Sequence, residues 1–574
     1  MQITRRGWFG VSAAGAAALA APAMAAGSPR TLGKIDIPSG RFRILSRGKR
    51  DYGQALGALA AYAQSELSSL GLPGMTLSVT DNDGFTAVLT LGWADVCARR
   101  PVTDDQLFQI GSISKSFLAL CVLSLVDEGK MSLEAPLSTY LPGAPWPDAA
   151  ITVAQALSHT GGLPDGAPIF PRTPDGRLWT GFAAGSKFSY SNTGYDLLGR
   201  AVTHVTGLSH EDAIRERVRK PLGVADIEGR ICQQNRGRSP KAYMPPDSLS
   251  VDTPGTPMIE APWDPEDTPA GSIAATSEMM ARYLRGLLKL GAGQGAGVLS
   301  EASAKRFAAP VIASDADFGP ASRYAFGVAL QPVDGADCLH HTGGMIAFHS
   351  SFHADPAAGV AAFASVNGAL GSYRPRATTA YAMRLMRAVR AGAPLPPAPD
   401  PLAAWKLKDV TPFLGTWLGP EGQRASIQTS ANAPFPLVMV GDQGFNLFRS
   451  GGGAATAHPS LARHPLEPTP DGGLWWGDVL FSRDTAPPRP AVPDRLRVFT
   501  GVYLNRDPWA GYVEVFARGE TLVVDGLGPI VERDGYWSGD KDNGGLERVR
   551  FDGMLNGRST RLNLSGVDYL RVEV

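Results

Sequence analysis

Two proline-rich stretches set the first limit on how this chain can fold. Ala391 to Pro401 reads AGAPLPPAPDP, and Ala486 to Pro493 reads APPRPAVP. Proline fixes φ and removes a backbone donor, so such runs are stiff, extended and unfit for a helix or sheet interior. They split the 574 residues into one long region and two pieces of roughly 80 residues, ordinary sizes for separate domains. The expected layout is a large domain at 40–390, a linker at 391–405, and small domains at 406–485 and 495–574. The small pieces begin alike. Phe413-Leu414-Gly415-Thr416-Trp417-Leu418 and Phe499-Thr500-Gly501-Val502-Tyr503-Leu504 share aromatic-x-Gly-x-aromatic-Leu, 86 residues apart. Short alternating runs follow, such as Thr521 to Val524 and Arg561 to Leu564, separated by Gly, Asp and Asn turns. That pattern predicts small antiparallel β-barrels and a duplicated unit.

Charge excludes several functions. Lys+Arg and Asp+Glu both number 54, so no large basic footprint exists for nucleic acid or an anionic membrane. No internal apolar run reaches the length of a membrane span. Residues 1–25 carry an address. Thr4-Arg5-Arg6-Gly7-Trp8-Phe9 is a twin-arginine pattern, Val11 to Ala21 is apolar and small, and Ala23-Met24-Ala25 offers a cleavage site. The expectation is export as a folded protein to the periplasm by the twin-arginine translocation machinery. Cys97, Cys121, Cys232 and Cys338 form no CxxC motif, and their pairing is not legible.

The long region mixes helices and strands. Leu56, Leu59, Ala63, Leu67 and Leu70 recur every three or four residues, predicting a helix over Gln54 to Leu70 stopped at Gly71. Met75 to Thr80 and Phe85 to Trp93 flank Asp81-Asn82-Asp83-Gly84, a hairpin signature. Phe117 to Val126 is apolar on nearly every side, so it must be a helix inside a large domain. Strands are expected again at Phe326 to Leu330 and Gly359 to Val366. Strands, then helices, then strands define an α+β domain.

Just before the apolar helix lies Gly111-Ser112-Ile113-Ser114-Lys115. Positions three apart share a helix face, so Ser112, expected in the first turn, can meet Lys115. A serine needs a base to become a nucleophile, and burial lowers a lysine pKa towards that task. Two further boxes are Tyr190-Ser191-Asn192 and His341-Thr342-Gly343. With these three boxes the chain resembles the serine β-lactamase and penicillin-binding protein superfamily. Their order and wide spacing are similar to the class C β-lactamase, D,D-carboxypeptidase and D-aminopeptidase branch. Leu157-Ser158-His159-Thr160-Gly161-Gly162-Leu163-Pro164, Pro221-Leu222-Gly223 and Pro269-Ala270-Gly271-Ser272 also fit it, and the resemblance covers about residues 50 to 390.

The resemblance implies a catalytic domain with an antiparallel sheet flanked by helices and a helical subdomain. It implies Ser112 as acylated nucleophile, Lys115 as base or proton relay, and Tyr190 as second candidate base, its phenol lowered by two neighbouring cations. Asn192, His341, Thr342 and Gly343 would bind substrate, and the N–H groups of Ser112 and Gly344 would form the oxyanion hole. No cofactor or metal is implied, since all these groups come from the chain. His341 is mostly neutral near pH 7, unlike the lysine of β-lactamases, which favours aminopeptidase or esterase relatives. His340 replaces a small residue and is expected to narrow the site. His159 reads as a structural hydrogen-bonder; His349 and His353 lack companions for a metal site.

Two small β-domains after such a catalytic domain resemble D-aminopeptidases, in which a loop from the last barrel limits substrate size. Gly526 to Gly545, with Glu532, Asp534, Asp540 and Asp542, is the matching stretch. The reading is an exported amide hydrolase of small peptides, of D-aminopeptidase or D,D-peptidase type. Alternatives are a carboxylesterase on the same scaffold, a peptidase for linearised cyclic peptides, a β-lactamase, or a non-catalytic sensor. Amide against ester preference separates the first two; acylation of Ser112 excludes the last.

Overall fold

The computed structural model describes residues 35–458, 461–539 and 546–572. The expected signal segment, residues 1–25, lies outside them. A large antiparallel sheet organises the long region. Its strands run in the order Arg43–Ser46, Thr86–Asp95, Gly74–Asp81, Val360–Val366, Phe348–Asp355, Ala336–Met345, Ala329–Val333, Arg323–Tyr324 and Ile312–Ala313. The expected hairpin is present, with Gly84 at φ +97° closing the turn. The two ends of the region meet in mid-sheet, where Val360 to Val366 pairs with Asp81 to Met75.

Successive strand residues face opposite sides, so one strand feeds two cores. Cys338, Ala362 and Val366 join the core beneath helices Gly53–Leu70 and Arg376–Ala391. Leu339, Phe352 and Phe363 join the core around helix Ser114–Asp127. Burial on both faces explains why VAAFASV at 360–366 reads as continuous apolar sequence. The first helix ends as expected at Gly71, left-handed at φ +72°, whose N–H caps the Leu67 carbonyl. The helix Ser114–Asp127 is buried on nearly all sides by Asn192–Thr206, Ser277–Gly291 and Glu301–Ala308, which build the helical part. One strand differs from expectation. Phe326 lies in a turn, where Ala325 bonds Val328 around left-handed Gly327, and the strand begins at Ala329.

The two small β units differ in closure. Between Gly415 and Phe481, a four-stranded and a five-stranded sheet are stitched edge to edge by reciprocal Leu418 and Ser482 backbone bonds. Between Gly501 and Val572, eight strands close fully, Gly501–Leu504 pairing with Val567–Val572. Each has its own core, around Trp417, Leu466 and Trp476 in the first and Tyr503, Leu522 and Val549 in the second. The stretch expected as a loop, Gly526 to Gly545, is in large part a hairpin: Gly528–Arg533 pairs with Tyr536–Ser538. Glu532 and Asp534 sit on that hairpin; Asp540 and Asp542 lie outside the described residues.

Candidate active site

The turn carrying Ser112 is made possible by a glycine. Gly111 is left-handed at φ +56°, and a Cβ there would stand 2.3 Å from the Gly344 nitrogen. The chain therefore enters a single 3-10 turn, Gly111–Ile113, before the α-helix begins at Ser114. Ser112 thus precedes the first α-turn in which it was expected, because Gly111 tightens the approach. It keeps solvent-facing surface, whereas Lys115 beneath it is fully buried.

Lys115 Nζ donates to Ser112 Oγ at 3.0 Å, Asn192 Oδ1 at 2.6 Å and the Ala270 carbonyl at 2.9 Å. These three acceptors use its full set of donors. Burial pushes Lys115 down to about 7, against the opposing pull of Asp165 and Asp196. Near neutral pH a substantial fraction is uncharged and able to take a proton from the adjacent serine.

Tyr190 stands on the other side, its ring 4.9 Å from Lys115 Nζ and its hydroxyl bonded to Ser112. The expected lowering of its phenol is reversed: burial raises it well above 10, outweighing the Ser112 bond and Arg374. Phe318 and Tyr324, with His159 tilted against the Tyr190 ring at 4.3 Å, supply that burial. Tyr190 holds its proton at neutral pH. His159, left-handed at φ +56°, accepts the Ser191 N–H at Nδ1 and so sets the turn carrying Tyr190 and Asn192.

The third wall is the strand Ala336–Met345. A Cβ on Gly343 would lie 1.8 Å from the Ile110 carbonyl and 3.1 Å from the Ser112 nitrogen. Two bare glycines thus let the strand close on the turn carrying Ser112, bringing the Gly344 and Ser112 backbones together. His341 accepts from the Tyr324 hydroxyl at 2.9 Å through Nε2, and its Nδ1 meets the Thr342 carbonyl. Burial drives it down to about 3, so it is neutral. Thr342, between them, remains partly exposed. His340 does not narrow the cleft. It points to the opposite face of the strand, stacks on His353 at 4.2 Å and bonds the Phe352 carbonyl. His353 is held by Thr379 and Gln331, and no cluster of metal-binding side chains occurs among the described residues.

Sequence reasoning missed four charged neighbours. Asp165, directly after Leu163-Pro164, accepts the backbone N–H and Nδ2 of Asn192 at 3.1 and 2.9 Å. Desolvation raises its carboxyl and that of Asp196, which accepts from Thr268 at 2.6 Å. Arg374 lies against Gly344 and donates to the Tyr373 carbonyl, burial lowering it to about 10. Glu547 arrives from the C-terminal barrel and accepts the Asp165 N–H at 2.9 Å. Asp165 and Asp196 carried the nearest sequence signals, one directly after Leu163-Pro164 and the other four residues after Asn192.

A serine, a buried lysine that loses its charge near neutrality, a protonated tyrosine and two neighbouring N–H groups form an arrangement able to support acyl transfer of the Ser-x-x-Lys type. The chain belongs to the beta-lactamase family, whose model matches residues 58–385. It is 30% identical over 368 residues to penicillin-binding protein 4 of Amycolatopsis lactamdurans, covering 60% of this chain and 93% of that protein. It is 32% identical over 163 residues to esterase EstB of Burkholderia gladioli, 24% of this chain and 41% of that one. Among solved structures, the octameric penicillin-binding protein homologue from Pyrococcus abyssi shares the fold. Its TM-score is 0.52 at 19% identity, over 74% of this chain and 99% of that chain.

Proposed function

We propose that this protein is an exported serine hydrolase that cleaves amide bonds of small peptides through an acyl-serine at Ser112. The bond from Lys115 Nζ to Ser112 Oγ, made by a lysine that burial holds at about 7, carries this reading. Neutral Lys115 accepts the Ser112 proton as Oγ attacks the substrate carbonyl, and the Ser112 and Gly344 N–H groups receive the oxyanion. Tyr190, which retains its proton, donates it to the departing nitrogen and is recharged from Lys115. The amine leaves, and Lys115 then activates the water that opens the acyl ester. Asn192 is held by Lys115 and Asp165, leaving one Nδ2 hydrogen for the substrate amide.

The surroundings favour an ammonium-bearing substrate. Asp165, Asp196 and Glu547 cluster on the Asn192 side, while neutral His341 offers no charge to a carboxylate. That supports a D-aminopeptidase type of specificity. Export rests on the Arg5-Arg6 pattern. A carboxylesterase is the second reading, favoured by the neutral His341.

The test is hydrolysis of D-alanine p-nitroanilide against its L-isomer, with Ser112→Ala as control. D-selective turnover lost in the variant is expected; turnover of p-nitrophenyl esters with neither anilide cleaved selects the esterase. Acylation should rise with pH to a plateau above about 7 as Lys115 loses its proton. Stability follows the same group. Between about 7 and its ordinary 10.5 the unfolded chain holds a proton that the folded chain has released, so this contribution to stability increases with pH. Urea midpoints across that interval, with Lys115→Met as control, check the sign.

A further inference from the structure

The segment from Ser158 to Ser191 contains neither helix nor strand, yet it carries Asp165 near its start and Tyr190 near its end. Loops of more than about 12–15 residues without internal structure are uncommon in compact domains, and this one is ordered from outside. The C-terminal barrel grips it along its length. Trp179 Nε1 donates to the Leu546 carbonyl at 2.7 Å, and Gly181 presses on Leu546, where a Cβ would come within 2.7 Å of its Cα. Arg172 pairs with Asp568 at 3.0 Å, its N–H donates to the Gly566 carbonyl, and its own carbonyl accepts from Asn563.

At the active-site end of this grip stands Glu547. One carboxylate oxygen accepts the Asp165 N–H; the other accepts from Ser565 Oγ, whose left-handed backbone at φ +48° closes the adjoining turn. Four contacts then lead inwards: Glu547 to Asp165, Asp165 to Asn192, Asn192 to Lys115 at 2.6 Å, and Lys115 to Ser112 at 3.0 Å. Glu547 has no ion-pair partner among the described residues, although it stands beside the like-charged Asp165. A glutamine could accept the Asp165 N–H in the same way, with its Nε2 donating to Ser565 Oγ in place of the bond that the carboxylate accepts.

We propose that Glu547 is a positioning residue for acylation: the barrel's carboxylate fixes Asp165, and through it the Asn192–Lys115 pair, against Ser112. The inference rests on Ser112 being the nucleophile and is independent of the substrate. The Glu547 charge acts on Asp165, whose carboxyl it helps to raise, and Lys115 faces that carboxyl together with Asp196, His159, His341 and the rings of Tyr190 and Tyr195.

Labelling of the full chain by a fluorescent fluorophosphonate reads acylation of Ser112 directly. Glu547→Ala should slow labelling about tenfold, the scale of a small misplacement of a catalytic pair. Glu547→Gln should recover to within about threefold of wild type, since its amide oxygen still accepts the Asp165 N–H. Glu547→Ala and Asp165→Asn should be non-additive in the double variant, since they lie on one network. Labelling of Glu547→Ala at the wild-type rate, or a glutamine variant that restores nothing, overturns the proposal. If the alanine variant does not fold, Glu547→Leu, which keeps the bulk and cannot accept the Asp165 N–H, replaces it, and labelling at the wild-type rate overturns the proposal. A wild-type chain that takes no label removes the Ser112 reading, and the positioning role with it.

Discussion

The two small β units share a corner and part company at their edges. In the first, Trp417 Nε1 bonds the Phe413 carbonyl at 2.8 Å; in the second, the Tyr503 hydroxyl bonds the Phe499 carbonyl at 2.7 Å. Each ring is covered by an arginine from the far end of its unit, Arg483 at 4.2 Å and Arg571 at 4.9 Å. Arg483 donates to the carbonyls of Pro412 and Leu414, and Arg571 to those of Val498 and Thr500, the same two places relative to each glycine. One local solution is thus built twice. The first unit leans on the second through Arg463–Glu514 and Arg518–Glu467 and touches the large region where Val251 bonds Ala462. The second delivers Glu547 to Asp165. A common corner therefore sets architecture, while role is decided by which edge a unit presents to its neighbours.

Breaking the corner in each unit tests this division. Arg571→Ala removes bonds to the Ser559, Thr500 and Val498 carbonyls and to the Tyr503 hydroxyl. It should cost about 2–3 kcal/mol by denaturant midpoint and slow Ser112 labelling, because the wall carrying Glu547 loosens. Arg483 is exposed, so Arg483→Ala should cost about 1 kcal/mol and leave kcat/KM within about twofold of wild type. Equal losses of activity in the two variants would erase the distinction. The smallest effect is expected at the contact itself. Arg172→Ala removes one exposed ion pair with Asp568, about 0.5 kcal/mol, with a modest rise in KM as the readout.

Much of this was legible in residues close together in sequence. The Ser112–Lys115 pair shows as a three-residue spacing, the buried helix as apolar sequence on every face, and the Asp81–Gly84 turn as its own residue types. What was not legible depends on meetings across long separations. Glu547 lies 382 residues from Asp165, and no periodicity encodes that encounter. The Tyr190 phenol was misjudged because nearby cations were weighed without the aromatic and histidine rings that bury it. Desolvation by His159, Phe318 and Tyr324 exceeds the pull of Arg374 and of the Ser112 bond. The strand at Ala329 was placed early because Phe326 continues the apolar pattern into a turn that Gly327 makes.

The pairing of Gly74–Asp81 with Val360–Val366 also governs when this molecule can come into being. On the ribosome, the first of these strands emerges and waits on the order of tens of seconds for its partner, at ordinary rates of synthesis. Its exposed edge must stay unpaired or shielded throughout that interval, which makes chaperone capture of the nascent chain a natural companion of this topology. Ser112 and Lys115 exist early, but their sheet cannot close until residue 366 is made, and Glu547 follows later still. A truncated product would carry Ser112 and Lys115 and lack the barrel residue that reaches Asp165.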